Sequence, residues 1–551
     1  MNRTNLNKAL AIPNYRPGLR NPAARWRALG PWLLALILVP AVGTAQEAAP
    51  TAPAPTPIFY VQEYRVLGAT KLPPLQVEEA VYPYLGPGIS PELVEQARAA
   101  LEGAYRAAGY QTVTVEIPEQ NPTSGIINLQ VVEGKVGRLR VNGARWFLPS
   151  QIRKLAPSMA EGQVPNFNDV QRDVLAMNKM ADRRVTPSLR PGADPGTYDI
   201  DLNVQDVFPL HGNVELNNRY SVDTTELRLS GGITYTNLWQ LGHTAGFSFQ
   251  VAPERPEDAQ VYSAYYLAGI PSIDWLSILL QGTKQDSDVS TLGGVAVAGR
   301  GEIGGIRAVV ALPNKPNFYH ALNFGIDYKH FEENVVIGTD FSQLPITYYP
   351  LSVNYTASWL YEHHETQLNA GINWSIRGQG STQQEFDNKR YNADGGYIYL
   401  RGDISHTQDL PGGLQVYGKL QGQAADRPLI NSEQYSGGGL GTARGYIEST
   451  ALGDSGVFGT IELRSPSFLP PGKDKENEWR VYGFVDAGRL GLHDPLPEQQ
   501  STFDFLSVGV GSVLKVKDFL NGSLDLGFPL EDPVAANAED LLLTFRVWME
   551  F

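Results

Sequence analysis

The chain has no cysteine, little charge and, beyond its N-terminus, no long apolar run. The absence of cysteine among its 551 residues excludes disulfide scaffolds and thiol catalysis. Its net charge is −14, and no basic patch with interleaved aromatics occurs, which argues against nucleic acid as a partner. Because no later stretch is apolar enough for a spanning helix, a membrane-embedded region would have to be a β-barrel.

The N-terminus has the pattern of an export signal. Basic residues precede an apolar run from Trp32 to Val42, and the small residues Gly43, Thr44 and Ala45 follow it. That run is about half of the ~20 residues that a spanning helix needs, so residues 1–45 are predicted to be a signal peptide rather than an anchor. Residues 46–58 are rich in Ala and Pro and are predicted to form an extended linker.

Two small α+β modules are predicted next, at residues 59–136 and 137–207. The first has the pattern strand, helix, helix, strand, strand, with a helix that begins at Pro91 and ends at Gly109. The second repeats this order and closes with a hairpin around Pro191–Gly196.

Residues 208–551 alternate apolar and polar side chains almost throughout, which is the period of β-strands. A soluble sandwich would alternate in the same way. The export signal, the number of strands and the Tyr and Trp residues near strand ends favour a barrel in lipid. At ~9–11 residues per spanning strand, the length accommodates an antiparallel barrel of about 16 strands.

Two short runs are candidates for the functional site. The first is a glycine-rich run, Gly437 to Tyr446, which would let a loop spanning about 432–455 fold into a confined space. The second is a strand in which Trp479, Val481, Val485 and Ala487 share one face, so Phe484 and Asp486 take the opposite, lumenal face. We therefore expect Arg444 of the loop to meet Asp486 of the strand.

The two modules resemble tandem POTRA (polypeptide-transport-associated) domains, through Gly109-Tyr110, Val132-Glu133-Gly134-Lys135-Val136 and Asn142-Gly143. The whole chain resembles a TpsB-type transporter of two-partner secretion, the family of haemolysin and haemagglutinin exporters. Ala443-Arg444-Gly445-Tyr446 is similar to that family's loop tip, with Ala in place of Val. Phe484-x-Asp486-x-Gly488 is similar to the strand motif against which the arginine docks.

The resemblance implies an integral outer-membrane protein with periplasmic POTRA domains and a membrane-spanning antiparallel β-barrel. Its implied partners are a secreted TpsA-type exoprotein with an N-terminal secretion domain, outer-membrane lipid, and the barrel-assembly machinery, which would read the final strand ending in Phe551. Transport would use no nucleotide. Tyr446 is expected to pack against lumen residues such as Phe484. No catalysis, cofactor or metal is expected, because no histidine has a recognisable catalytic spacing.

Two departures and two alternatives accompany this interpretation. Asn217-Asn218-Arg219-Tyr220 stands where the family usually has Asn-x-Gly, and the Pro-rich tract leaves little room for a plug helix. One alternative is a factor of the same superfamily that inserts other barrels, although such factors usually carry more POTRA modules. The other is a passive porin-like channel. The identity of the cargo, the POTRA edge that binds it and the oligomeric state stay open.

Overall fold

The structure is a computed structural model that describes residues 58–551 except 122–123, 272, 288–299, 333, 338–339, 344, 470–476, 518 and 535–540. The predicted signal peptide and nearly all of the predicted linker lie outside the described residues. The described chain divides into two compact units, one ending at Phe208 and the other beginning at Pro209.

The first unit contains two modules with the same topology. In each, the first strand of the sheet pairs in parallel with the last, and the last pairs antiparallel with the strand before it. The predicted order of strand, helix, helix, strand and strand is therefore confirmed. The elements of the first module are β1 (Phe59–Val61), β2 (Glu63–Leu67), α1 (Pro74–Val81), β3 (Gly86–Ile89), α2 (Pro91–Ala107), β4 (Val113–Glu116) and β5 (Ile126–Glu133). Those of the second are β6 (Lys135–Asn142), α3 (Pro149–Lys154), α4 (Phe167–Met177), β7 (Arg183–Pro191) and β8 (Thr197–Asp206).

Helix α2 shows how the sequence sets these elements. The Ser90 side chain accepts a hydrogen bond from the Leu93 amide, and Pro91 occupies the first turn, where its missing N–H costs nothing. The helix buries one apolar stripe, consisting of Val94, Ala97, Leu101 and Tyr105. Gly109 follows with φ of +97°, a left-handed conformation that favours glycine. Both predicted boundaries are confirmed.

The second unit is a closed antiparallel barrel. Among the described residues its wall has sixteen strands, counting β18 and β19 as two parts of one interrupted strand. The first strand, β9, pairs with the last, β29, and closes the wall. The wall strands are β9 (Leu210–Asn217), β10 (Arg228–Leu238), β11 (His243–Val251), β12 (Ala259–Ile270), β13 (Ile273–Ser287), β14 (Arg300–Ala311), β15 (Phe318–Glu332), β18 (Ile346–Tyr348), β19 (Leu351–Leu360), β20 (His364–Trp374), β21 (Ile398–Asp409), β22 (Gln415–Ala425), β25 (Ser455–Arg464), β26 (Glu478–Gly491), β27 (Thr502–Val516), β28 (Leu520–Pro529) and β29 (Leu542–Glu550).

Further elements lie in the connections between wall strands. Two short hairpins, β16 (Asn334–Ile337) with β17 (Asp340–Gln343) and β23 (Tyr435–Gly437) with β24 (Ala451–Gly453), follow β15 and β22. A short helix, α5 (Gln383–Lys389), lies between β20 and β21. No helix in the described part of the chain combines the length and the apolar character needed to cross a membrane.

The alternation predicted from the sequence is present in the wall. On β26, Trp479, Val481 and Val485 are exposed on the outer face, whereas Phe484 and Asp486 are buried on the inner face. The last strand follows the same rule, with Leu543, Val547 and Met549 exposed outside. Apolar side chains outside and polar ones inside are the pattern of a barrel that spans a lipid bilayer.

Candidate functional site at the tip of the inward loop

The candidate site is built on the long connection between β22 and β25. We call residues 432–455 the inward loop. Its two arms pair as β23 and β24, and its turns use Gly438 and Gly439, whose φ angles are +99° and +84°. The Thr442 hydroxyl donates to the Gly438 carbonyl at 2.9 Å, and the Gly439 amide donates to the Tyr446 carbonyl at 2.9 Å. These bonds hold the tip as one compact piece.

Arg444 at the tip lies against Asp486 of β26. Its Nε donates to Oδ2 at 2.8 Å and its Nη2 to Oδ1 at 2.9 Å, which is the two-pronged geometry that arginine forms with carboxylates. The Arg444 amide also donates to Oδ2 at 3.0 Å. The two side chains are 7% and 1% exposed, so the pair is almost wholly shielded from water.

Two further carboxylates face the same guanidinium. Arg444 Nη1 donates to Glu462 Oε1 of β25 at 2.6 Å and lies 3.5 Å from Asp525 Oδ1 of β28. Glu462 is shared with Arg464, and Asp525 accepts a hydrogen bond from Tyr482 at 2.7 Å. One loop cation thus contacts carboxylates on three strands of the wall.

Aromatic rings complete the site in an arrangement that differs in part from expectation. The Phe484 ring lies under the Arg444 guanidinium, with 3.6 Å from the guanidinium carbon to the ring centroid. This stacking lowers the cost of burying the charge. Tyr446 instead packs edge-on against Phe505, with 5.1 Å between centroids, and its hydroxyl donates to the carbonyls of Leu506 and Glu531 at 2.8 and 2.7 Å.

Three glycines allow the close packing that these contacts need. Gly445 has φ of +91°, and a Cβ added at Gly527 of β28 would lie 2.5 Å from the Gly445 nitrogen. Within the strand motif, a Cβ at Gly488 would lie 2.1 Å from the Phe458 ring. A side chain at any of these positions would push the loop tip or the neighbouring ring away from the wall.

The sequence motifs identified Arg444 and Asp486 but missed Glu462, Asp525 and Tyr482. The signal for the two carboxylates was present in the strand pattern. Val457, Ile461 and Leu463 share the outer face of β25, which places Glu462 on the inner face. Asp525 lies inside by the same rule, because Leu524 is exposed outside on β28.

The chemistry of this cluster is that of an anchor. Its charged groups are engaged with one another and with a tyrosine hydroxyl. The contacts of Arg444 join the loop to the wall, and the Tyr482–Asp525 contact joins two wall strands. Within the described ranges, no three or more His, Asp or Glu side chains come together in a way that could hold a metal ion.

Comparisons with known proteins agree with this fold. The family model described as haemolysin secretion/activation protein ShlB/FhaC/HecB matches residues 196–514, and the ShlB-type POTRA domain matches residues 59–134. The outer membrane transporter CdiB of Dickeya dadantii (strain 3937) is 23% identical over 520 residues, covering 90% of this chain and 87% of the relative.

Solved structures give the same architecture. CdiB from Escherichia coli has a TM-score of 0.58 at 19% identity, with 92% of this chain and 93% of that chain covered. BamA from Haemophilus ducreyi lacking POTRA domains 1–3 has a TM-score of 0.56 at 16% identity, with 90% and 100% covered. At these identities the structural likeness shows the fold alone.

An N-terminal POTRA region and a sixteen-stranded barrel with an inward loop define an outer-membrane transporter of the two-partner secretion type, with its POTRA region in the periplasm. Because the family model covers more than half of the chain, the protein belongs to the haemolysin secretion/activation protein family ShlB/FhaC/HecB.

Proposed function

We propose that the Arg444 cluster holds the inward loop in its working position while an exoprotein crosses the barrel. The observation that carries this proposal is one cation, 7% exposed, bonded to carboxylates on β25 and β26 and close to a third on β28. Removing one partner of a buried ion pair typically costs about 3–5 kcal/mol, because the other charge is left uncompensated. The loop therefore stays against the wall unless several strong contacts break together.

The finer steps of transport are part of the same proposal. An unfolded TpsA-type exoprotein docks through its N-terminal secretion domain on POTRA edges as an added strand, a mode that relies on main-chain hydrogen bonds. It then threads the barrel and folds outside, where folding opposes its return. The protein acts without nucleotide, cofactor, metal or catalysis.

Residues 137–207 act as a second POTRA domain. Support comes from the shared topology of the two modules, since β6 pairs in parallel with β8 as β2 does with β5. The two hydrophobic cores are separate, one around Leu101 and Leu129 and the other around Ile152 and Leu202.

The barrel-assembly machinery and the lipid bilayer are the remaining proposed partners. The strand β29 presents Leu543, Val547 and Met549 on the outer face and is followed by Phe551. An alternating apolar strand of this kind suits recognition by the assembly machinery. The same apolar face suits contact with lipid.

The experiment that tests the proposed function is secretion of a candidate exoprotein by cells that lack this protein. Restoring the native chain should restore the exoprotein at the cell surface, while the amounts of other outer-membrane barrels stay constant with and without it. If the exoprotein is exported equally well without this chain, the transport proposal fails. If other barrels disappear from the membrane instead, the protein is an assembly factor of the same superfamily.

A further inference from the structure

A second ionic contact holds the inward loop at Glu448, away from the Arg444 tip. Arg219, in the connection after β9, donates from Nε to Glu448 Oε1 of the loop at 2.6 Å. Glu448 also accepts from the Leu440 amide at 3.3 Å, and its own amide donates to the Tyr220 carbonyl at 2.9 Å. The Arg219 and Glu448 side chains are 18% and 9% exposed. None of these residues belongs to the Arg444 cluster.

The contact continues from Arg219 to the place where the barrel closes. The Arg219 amide donates to Asn217 Oδ1 at 2.9 Å, and Asn217 Nδ2 donates to Glu215 Oε1 at 2.9 Å. Glu215 of the first strand is paired in two-pronged geometry with Arg546 of the last strand, at 2.8 and 2.9 Å. Arg219 also interacts electrostatically with Glu215. Arg219 therefore lies between Glu448 of the loop and Glu215 of β9, the first strand of the barrel.

The closing junction, where the last strand β29 pairs with the first strand β9, has few main-chain pairs. The ladder between β29 and β9 has five paired positions, from Arg546–Asn217 to Glu550–Asn213, whereas β9 pairs with β10 at eight. Beyond the last pair, the Asn218 side chain donates to the Leu543 carbonyl at 2.8 Å and accepts from the Phe545 amide at 2.7 Å. Side chains of residues 215–219 thus supply connections that the ladder lacks at this end.

We propose that Arg219 is a positioning residue that couples the inward loop to the closing junction of the barrel. This inference rests on the proposed role of the loop in transport. Arg219 is the paired cation of Glu448 and also attracts Glu215, which keeps Arg546 as its own partner. Loss of Arg219 therefore leaves Glu448 shielded and without its cation beside the closing junction. A change in the loop at Glu448 then destabilises β29, and a change at the junction destabilises the loop.

The coupling is tested by hydrogen–deuterium exchange on the full-length protein in lipid nanodiscs. Glu448→Gln changes the loop alone, yet we expect about tenfold faster exchange both in the loop and in β29, as local opening becomes easier. Arg219→Gln should do the same, Arg219→Lys should fall in between because it keeps the charge, and the double Gln variant should add nothing to Arg219→Gln. Arg489→Gln, which removes an exposed arginine from β26, is the matched control and should change neither segment.

If Glu448→Gln accelerates exchange only in the loop, or if the two Gln substitutions add independently, the coupling is overturned and Arg219–Glu448 is a local contact. Heat-modifiable gel mobility reports the amount of folded barrel for each variant, so a variant that fails to assemble is recognised separately. Because this readout needs no exoprotein, it can fail while the transport proposal stands. Export measured alongside should fall several-fold in Arg219→Gln and recover in part in Arg219→Lys.

Discussion

Strand β26 takes part in two arginine–aspartate pairs of the same geometry in opposite surroundings. Asp486 on its inner face binds Arg444 of the inward loop at 2.8 and 2.9 Å, and its Arg489 binds Asp504 of β27 at 2.5 and 2.9 Å. The side chains are 7% and 1% exposed in the first pair but 66% and 47% exposed in the second. The two pairs therefore have similar geometry but differ greatly in their exposure to water.

That difference shows that the geometry of an ion pair alone does not indicate how much the pair stabilises the structure. When an exposed partner is removed, water solvates the remaining charge and the loss is small. When a buried partner is removed, the remaining charge has no replacement for the contact. The inner pair also recruits Glu462 and Asp525, so it acts as a multi-strand anchor, whereas the outer pair links two neighbouring strands.

The largest expected effect comes from breaking the inner pair, Arg444–Asp486, while the outer pair, Arg489–Asp504, serves as the comparison. Arg444→Ala and Asp486→Ala should each lower export of the exoprotein to about one tenth of the native level or less, since either change leaves buried charge uncompensated. Arg489→Ala and Asp504→Ala should leave export unchanged. Surface exoprotein is measured by immunoblotting, with heat-modifiable mobility reporting the folded barrel. Normal export by both inner-pair variants would contradict the assigned role of Arg444.

Exchanging the two charges separates the pairs more sharply. The exchange Arg444→Asp with Asp486→Arg should not restore export, because the new carboxylate at 444 would face Glu462 and Asp525. The same exchange at Arg489 and Asp504 should be tolerated. Restored export after the inner exchange would mean that the Arg444–Asp486 contact acts alone and that the two further carboxylates are incidental.

A smaller effect is expected from substitutions that prevent the loop tip from packing closely against β28. Gly527→Ala would place a methyl group 2.5 Å from the Gly445 nitrogen, and Gly445→Ala strains a residue whose φ is +91°. Both should lower export several-fold and make the loop tip more sensitive to protease. Gly441→Ala is the matched control in the same loop, since its Cβ would meet nothing within 4 Å. Equal protease sensitivity in all three variants would refute this explanation.

The smallest effect concerns a carboxylate of intermediate exposure, Glu133 in the first POTRA module. Its carboxylate accepts hydrogen bonds from the Thr70 and Lys71 amides at 2.7 and 2.8 Å and from the Tyr105 hydroxyl at 3.2 Å. Burial would raise the pKa of Glu133, but these bonds and one from the Thr70 hydroxyl together lower that pKa below its ordinary value of 4.5. The charged form therefore stabilises the module.

Because the folded pKa of Glu133 is depressed, its contribution is complete above pH 4.5 and is lost as the pH falls through the folded pKa. Glu133→Gln should lower the free energy of unfolding near neutral pH by about 1 kcal/mol and should weaken the acid dependence. Urea unfolding of residues 58–208 at several pH values measures both. Glu116→Gln, at an exposed position of β4, is the control and should retain the native acid dependence.

Much of the architecture could be predicted from the sequence because it depends on local periodicity. The helix from Pro91, the two repeated modules, the barrel and the inner face of Asp486 follow from spacing and alternation, and the structure has them as predicted. The contact partners of Arg444 other than Asp486 depend on strand register. Glu462 and Asp525 lie on two strands other than that of Asp486. Alternation gives the face of the wall on which a side chain lies but not its height along the barrel.

The contacts of Arg219 were even harder to predict from the sequence. In the sequence it is only a departure from a family pattern. Its meaning depends on the loop residue Glu448, more than two hundred positions away, being brought beside the closing junction. The partner of Tyr446 also depended on register, since Phe484 and Phe505 are both inward-facing aromatics and the structure sets Tyr446 against Phe505.

The most direct test of the working position is to fix the loop in it by a covalent link. The chain has no native cysteine, so Gly441→Cys and Gln421→Cys introduce the only two thiols, at positions where the Gln421 side chain already donates to the Gly441 carbonyl. A short bifunctional thiol reagent can join them in intact cells. If the loop works while held against the wall, linking should leave export intact in the native background and restore it in Arg444→Ala. Export that stops when the native loop is linked would contradict the account, because the loop would then have to leave the wall for the exoprotein to pass.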